Sequence, residues 1–245
     1  MPELNSVLGR SLTLLTAFRS TDTVVPLAEL SRRTGIPKST AHRLLAELTD
    51  WQIVERSDSG FRVGMRLFEL GQLAPVQRGI REAAAPFLAD LYEATHQTVH
   101  LAVLDGIDVV YLNKLDGKNG PRVGSRVGGR MPVYCTGVGK AMLAFSPPQL
   151  LEEVIARGLR RRTPRTVVTP GALSRELETV RALGFAEERE ESAVGVACVA
   201  APVLGADRLP IAAISITSWT NQAKPATFAP AVRTAALGIA RTLRY

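Results

Sequence analysis

Cysteine is almost missing from this chain: its 245 residues include only Cys135 and Cys198, far apart. Two isolated cysteines make neither a disulfide scaffold nor a zinc site, because a structural zinc takes four ligands, usually at short paired spacings. Histidine is as scarce, with only His42, His96 and His100. His96 and His100 could share a helical face, but the Thr-Val-His-Leu-Ala-Val run around His100 reads as a strand, so no bound metal is expected. Aromatic residues are 5% of the chain, too few for the stacking platform expected of an RNA-binding surface. No apolar run approaches the roughly 20 residues that span a bilayer, and the first residues lack the basic and apolar regions of a secretory signal. The expectation is a cytoplasmic protein with no membrane partner. At 46% hydrophobic and 22% charged, without low-complexity tracts, the composition is globular, and the length suits one large domain or two ordinary ones.

Catalytic signatures are missing too. There is no Gly-x-Ser-x-Gly elbow and no His-Glu-x-x-His, and His96 and His100 have no partner suggested by a motif. Thr136-Gly-Val-Gly-Lys140 resembles the end of a P-loop, but Tyr134 stands where that motif needs glycine and Ala141 where it needs Ser or Thr. No nucleotide chemistry or cofactor is expected. The glycine turn entering a helix still offers backbone N–H groups to a small carboxylate, or else it only allows close packing. Glu187, Glu188, Glu190 and Glu191, interrupted by Arg189, read as a solvated edge, and Arg157, Arg160, Arg161, Arg162 and Arg165 as a solvated basic loop.

The net charge of +7 is weak support for nucleic-acid binding, because of where it lies. Residues 1–75 hold nine Lys/Arg against eight Asp/Glu; residues 76–245 hold twenty-one against fifteen. Local distribution says more. From Ser31 to Ala46 there are Arg32, Arg33, Lys38 and Arg43, and no acid.

Helical periodicity surrounds that stretch. Leu8, Leu12, Leu15 and Phe18 are spaced as one buried stripe of a first helix. Leu27 to Thr34 reads as a second, ended by Gly35, and Pro37 suits the first turn of a third running from Lys38 to about Leu48. Ala41, Leu44, Leu45 and Leu48 give this third helix a core face. The opposite face centres on Ser39, Arg43 and Ala46, flanked by His42, with Lys38 and Thr40 at its N-terminal edges. Short hydrogen-bonding and basic side chains at the start of such a helix suit the major groove, with Arg32 near phosphate. Ile53 to Arg56 and Phe61 to Val63 read as two strands joined by a hairpin turn, a wing whose Arg56 and Arg62 could reach the DNA backbone or minor groove.

The expected organisation is a mainly α winged helix-turn-helix over residues 1–65, a linker helix over 66–79, and a larger domain over 80–245. In the larger part, helices are expected at 80–95, 137–145, 148–157, 173–183 and 230–243, with strands at 99–104, 109–115, 194–203 and 211–217. Strand pairs with helices grouped between them argue an α+β domain on a mainly antiparallel sheet.

Five stretches in order resemble the IclR family of bacterial one-component regulators. They are Leu27 to Leu45, Arg130 to Ala141, Leu177 to Ala186, Gly195 to Val203 and Ala212 to Thr217. The resemblance implies a GAF-like effector domain, a homodimer formed through the N-terminal domains, and in some members a dimer of dimers. It also implies a ligand pocket at Gly137, Val138, Glu188, Val196, Cys198, Ser215 and Thr217, with Met131 as an apolar wall. The expected partners are a double-stranded, palindromic operator and a small organic or aromatic acid. Two other readings stay open: a constitutive DNA-binding protein whose second domain only oligomerises, and an enzyme fused to a DNA-binding domain.

Overall fold

The computed structural model describes residues 6–118, 120–121 and 123–243, apart from the side chains of 75–77. The chain divides into two compact units, Met1–Pro75 and Val76–Tyr245.

The first unit contains helices α1 (Val7–Thr16), α2 (Leu27–Thr34) and α3 (Lys38–Asp50), the hairpin β1 (Val54–Ser57) and β2 (Gly60–Val63), and α4 (Met65–Gln72). Gly35 ends α2 at φ +71°, the left-handed value that only glycine adopts cheaply, and its N–H closes the helix on Ser31 O. This turn sets α3 against α2 with Leu30, Ala41, Leu44 and Leu45 inward. The hairpin closes through Asp58-Ser59, with Ser57 paired to Gly60, and Val25 bridges to Phe61 as a third short edge. The wing is therefore bonded to the segment preceding α2.

The stripe expected to be buried in the first helix is covered only in its C-terminal half. Leu14 is fully buried while Leu8 is 69% and Leu12 52% exposed; Leu15 and Phe18 are only partly covered. Leu15 and Phe18 pack on the core beside Leu14, and the N-terminal half of the stripe does not. The stripe of Leu8 and Leu12 is open, as are Met65, Phe68 and Leu73 on and after α4.

The second unit contains α5 (Pro75–Thr95), β3 (Thr98–Asp105), β4 (Asp108–Leu115), β5 (Arg130–Pro132), a 3-10 turn at Val133–Cys135, α6 (Gly137–Leu143), α7 (Pro148–Arg157), α8 (Pro170–Leu183), β6 (Ala186–Arg189), β7 (Val196–Leu204), β8 (Pro210–Trp219) and α9 (Pro225–Leu243). Its six strands form one antiparallel sheet in the order β5-β4-β3-β8-β7-β6. This is the expected α+β class. Alternation along the strands makes two cores. Val199, Ala201, Ile214 and Ile216 face Leu88 of α5 and Val232 and Ile239 of α9. Cys198, Ala200, Ala102 and Ala213 face α6 and α8.

Several elements differ from the sequence reading. Pro230 does not start a helix but lies within α9, which begins at Pro225. Strands β5 and β6 are additional, both too short to show a period of their own. The acidic run is a correction of substance. As β6 it alternates in and out, so Glu188 is buried while Glu187 is exposed, and Glu191 just beyond the strand is buried as well.

Candidate functional site

Between the second core and solvent lies a cavity of about 200 Å³, smaller than the roughly 300–1,000 Å³ of drug-sized sites. Sheet register assembles its floor. Glu188 stands opposite Cys198, Cys198 opposite Thr217, and Ser215 opposite His100, so all five share one face of four adjacent strands. Gly137 and Val138, at the start of α6, close another side, and Met131 of β5 and Val196 complete it. All eight residues proposed from the family motifs for ligand contact thus line one cavity. The glycine turn also permits close packing: a Cβ on Gly137 would lie 2.8 Å from Cys198 Sγ, and one on Gly139 would lie 2.2 Å from Val133 O. These contacts bear out the close-packing reading of the turn.

The structure adds lining residues that the sequence reading missed. His100 Nε2 lies 2.7 Å from Ser125 Oγ, its Nδ1 lies 3.4 Å from Thr217 Oγ1, and its ring centroid is 5.0 Å from that of Tyr111. One signal was available: a histidine inside an otherwise apolar strand needs partners. Burial, with Lys114 nearby, pushes His100 down to about 3, so the ring is neutral at physiological pH. Burial also pushes the Cys198 thiol up to about 11 and Cys135 to about 12, which leaves both protonated and unreactive.

Two groups lack full satisfaction. Ser215 Oγ is buried, and among the described residues its one partner is the weak thiol of Cys198. Glu188 uses only one oxygen: its Oε1 accepts from the N–H groups of Glu191 (2.7 Å) and Ser192 (2.9 Å) and from Ser192 Oγ (3.3 Å). Burial lifts its carboxyl to about 7, the Ser192 N–H pulling the other way.

Behind the cavity, Lys140 is 2% exposed and bonds Glu176 at 2.8 Å and Glu191 at 2.5 Å. This lysine serves α8 and the loop after β6, and is not presented to a phosphate. The basic loop is solvated as expected, with Arg157, Arg160, Arg161, Arg162 and Arg165 all exposed. Arg162 lines the cavity, whereas Arg165 bonds Glu190 at 2.8 Å. Among the described residues no cluster of His, Cys, Asp or Glu is arranged to hold a metal, and no helix is long and apolar enough to cross a membrane.

In the first unit, Lys38, Ser39, His42 and Arg43 are exposed together on α3, and Thr40 is half-buried beside them. The stretch that is acid-free in sequence is not acid-free in space. Glu29, one turn earlier on α2, holds Arg32 through two bonds of 2.7 Å, and Arg33 is bonded to Glu29 and Asp22. Arg43 meets Glu47 at 2.9 Å. Lys38 alone of the four cations has no acidic partner among the described residues. On the hairpin, Arg62 pairs with Glu55 across the strands, and register puts Arg56 on the opposite face.

Comparison with known proteins agrees with this architecture. The family described as bacterial transcriptional regulator IclR C-terminal matches residues 73–241, and the IclR helix-turn-helix domain matches residues 7–58. The HTH-type transcriptional regulator XynR of Escherichia coli K12 is 34% identical, covering all of this chain and 99% of its own length. The transcriptional repressor IclR of the same organism is 33% identical over 86% of this chain and 78% of its own. Among solved structures, an IclR homologue from Microbacterium hydrocarbonoxydans, complexed with 4-hydroxybenzoate, superposes with a TM-score of 0.90 at 31% identity, covering 98% of this chain and 99% of that one. IclR from Thermotoga maritima superposes with a TM-score of 0.80 at 30% identity, over 97% and 98%.

Proposed function

The chain belongs to the IclR family of bacterial transcriptional regulators, and from that premise we propose that it binds an operator through α3 under the control of a small organic or aromatic acid held in the second unit. The observation that carries the effector half is the cavity, with a buried Ser215 hydroxyl whose one partner is the weak Cys198 thiol and a Glu188 carboxyl with one oxygen uncommitted among the described residues. A buried hydroxyl without a full hydrogen bond costs about 1–3 kcal/mol, a cost that a ligand would remove. The relative solved with 4-hydroxybenzoate supports an acid of this size.

In this reading the protein is a regulator and not an enzyme. Lys38, Ser39, Thr40, His42 and Arg43 address base edges and adjacent phosphates in the major groove, and Arg32, Arg56 and Arg62 serve the flanking backbone. The pairs Arg43–Glu47 and Arg62–Glu55 are solvent-exposed, hence weak, and would open to phosphate or base. A homodimer on a palindromic site follows from the family, and the open leucines of α1 with Phe68 of α4 suit a self-complementary contact. The effector acts by preferring one DNA-binding state over the other.

Two results test the effector half. Ser215→Ala should leave the melting temperature of the free protein unchanged or slightly higher, since it removes a weakly bonded polar atom. It should weaken acid binding by about 1–2 kcal/mol, read by calorimetric titration. A destabilised variant with unchanged ligand affinity would assign the hydroxyl a structural role instead. The second result is a pH dependence. A bound carboxylate repels ionised Glu188, so binding takes up a proton and is strongest when that group is protonated. Between about pH 6 and about pH 8 affinity should fall about tenfold, because ionisation of Glu188 near 7 must be reversed on binding. Glu188→Gln should flatten the profile. The other charged or ionisable groups around it are Glu191, already paired with Lys140, the neutral His100, Cys135 and Cys198, the Tyr111 hydroxyl, which burial keeps protonated, and Arg162.

A further inference from the structure

We infer that Arg162 is the counter-charge for the effector's carboxylate, and that it makes the cavity discriminate an acid from its neutral amide. The inference rests on the effector reading of the cavity and adds a residue and a selection rule to it.

Among the described residues Arg162 is the one cavity-lining residue with a cationic side chain; the others are apolar, neutral polar or, in Glu188, acidic. Its guanidinium is exposed and only loosely held by the protein. Nε donates to Ser192 O at 3.5 Å and Nη2 reaches Met131 Sδ at 4.0 Å, both at the long limit of a hydrogen bond, and no carboxylate of the described residues pairs with it. A guanidinium carries five N–H donors in a rigid fork matched to a carboxylate, so most of this fork is uncommitted at the rim of the cavity.

The position is built rather than incidental. Arg162 N donates to Thr166 Oγ1 at 3.0 Å, and so does Thr163 N at 2.9 Å. Thr163 Oγ1 donates to Glu190 O at 2.5 Å and Thr166 Oγ1 to Glu191 O at 2.8 Å. Both threonines are buried, so they staple the arginine loop to the segment following β6. Ser192 in that segment then separates the two charges, its N–H on Glu188 and its carbonyl towards Arg162. The cavity is left with a cation at one edge and a carboxyl with an open oxygen at another, unable to neutralise each other directly. A ligand with a carboxylate at one end and a hydrogen-bonding group at the other satisfies both.

The test is a matrix of calorimetric titrations of the full chain with benzoate against benzamide and 4-hydroxybenzoate against 4-hydroxybenzamide. Wild type is expected to favour the acid of a bound pair by about ten- to a hundredfold, the strength of a charge-assisted pair. In Arg162→Gln the ratio should collapse to within a fewfold of one, with amide affinity little changed, and Arg162→Lys should recover part of it. The melting temperature of Arg162→Gln should match wild type, since the guanidinium makes only two long contacts. An acid-to-amide ratio that survives in Arg162→Gln, or a parallel loss of both ligands, would overturn the inference while leaving the effector reading intact. If wild type binds no member of the panel, the effector reading of the cavity fails and this inference with it.

Discussion

Replacing Lys140 with methionine is expected to destabilise the second unit by about 3–5 kcal/mol, the cost of leaving a buried carboxylate without its partner. Methionine fills much of the same volume, so packing loss is small and the charge dominates. Glu191, 2.5 Å away, has only 7% of its side chain exposed and already carries one oxygen without a hydrogen bond. In wild type the two carboxylates outweigh burial and hold the Lys140 amine above its ordinary range. Without the lysine, Glu191 is driven further up, and its burial already raises it. A raised carboxyl is neutral in the folded state below its folded pKa, so the penalty is small in mild acid and grows as pH rises. At neutral pH the melting temperature should drop by about 6–20 °C. Adding Glu191→Gln should restore much of the loss, because a neutral pair needs no counter-ion. A Lys140→Met protein as stable as wild type at pH 8 would show that the network contributes nothing.

The same substitution should disturb ligand binding. Glu191 N–H is bonded to Glu188, and the following Ser192 and Ala193 line the cavity, so the ion network holds the cavity wall from behind.

The second large effect concerns α3. Arg43→Ala is expected to lower operator affinity by about 1–3 kcal/mol, and, where Arg43 reads a guanine edge, to relax selectivity at one base pair of each half-site. Arg43 is more than half exposed and tied only to Glu47, so its removal leaves the fold unaltered. Lys38→Ala should differ in kind. A phosphate contact lowers affinity evenly across sequences and reduces the salt dependence of binding by about one counter-ion. Competition binding of both variants against single-base variants of a selected duplex separates the two roles. Equal losses on all duplexes for Arg43→Ala would assign it to phosphate.

How much of this could be read from sequence followed the range of the interactions. The α2–Gly35–α3 unit was legible because one residue's φ and one helical period define it locally. The wing was legible for the same reason, its turn being four residues long. The stripe of α1 was half legible: Leu15 and Phe18 meet the core, whereas Leu8 and Leu12 keep the same spacing and stay open, a difference that spacing alone does not carry. The acidic run was misread because its partner Lys140 lies 51 residues away, and only strand pairing turns Glu188 inward. For the cavity, the family motifs supplied eight lining residues. His100 and Arg162 were missed, one because it joins the floor through β3–β8 register, the other because a loop stapled by two threonines carries it there. The acid-free stretch was a partial guide, since i+3, i+4 and loop neighbours bring carboxylates to three of its four cations.

The central claim is that occupancy of the cavity and recognition of DNA by α3 are one coupled equilibrium. Its most direct test takes a duplex selected by this protein from a random pool and measures its dissociation constant with and without a saturating cavity ligand. The account predicts an inverted repeat and a ligand-induced change of about 5- to 150-fold in affinity, whose midpoint moves to about 5- to 30-fold higher ligand concentration in Ser215→Ala. The same dissociation constant at every ligand concentration, with the ligand bound, would contradict it.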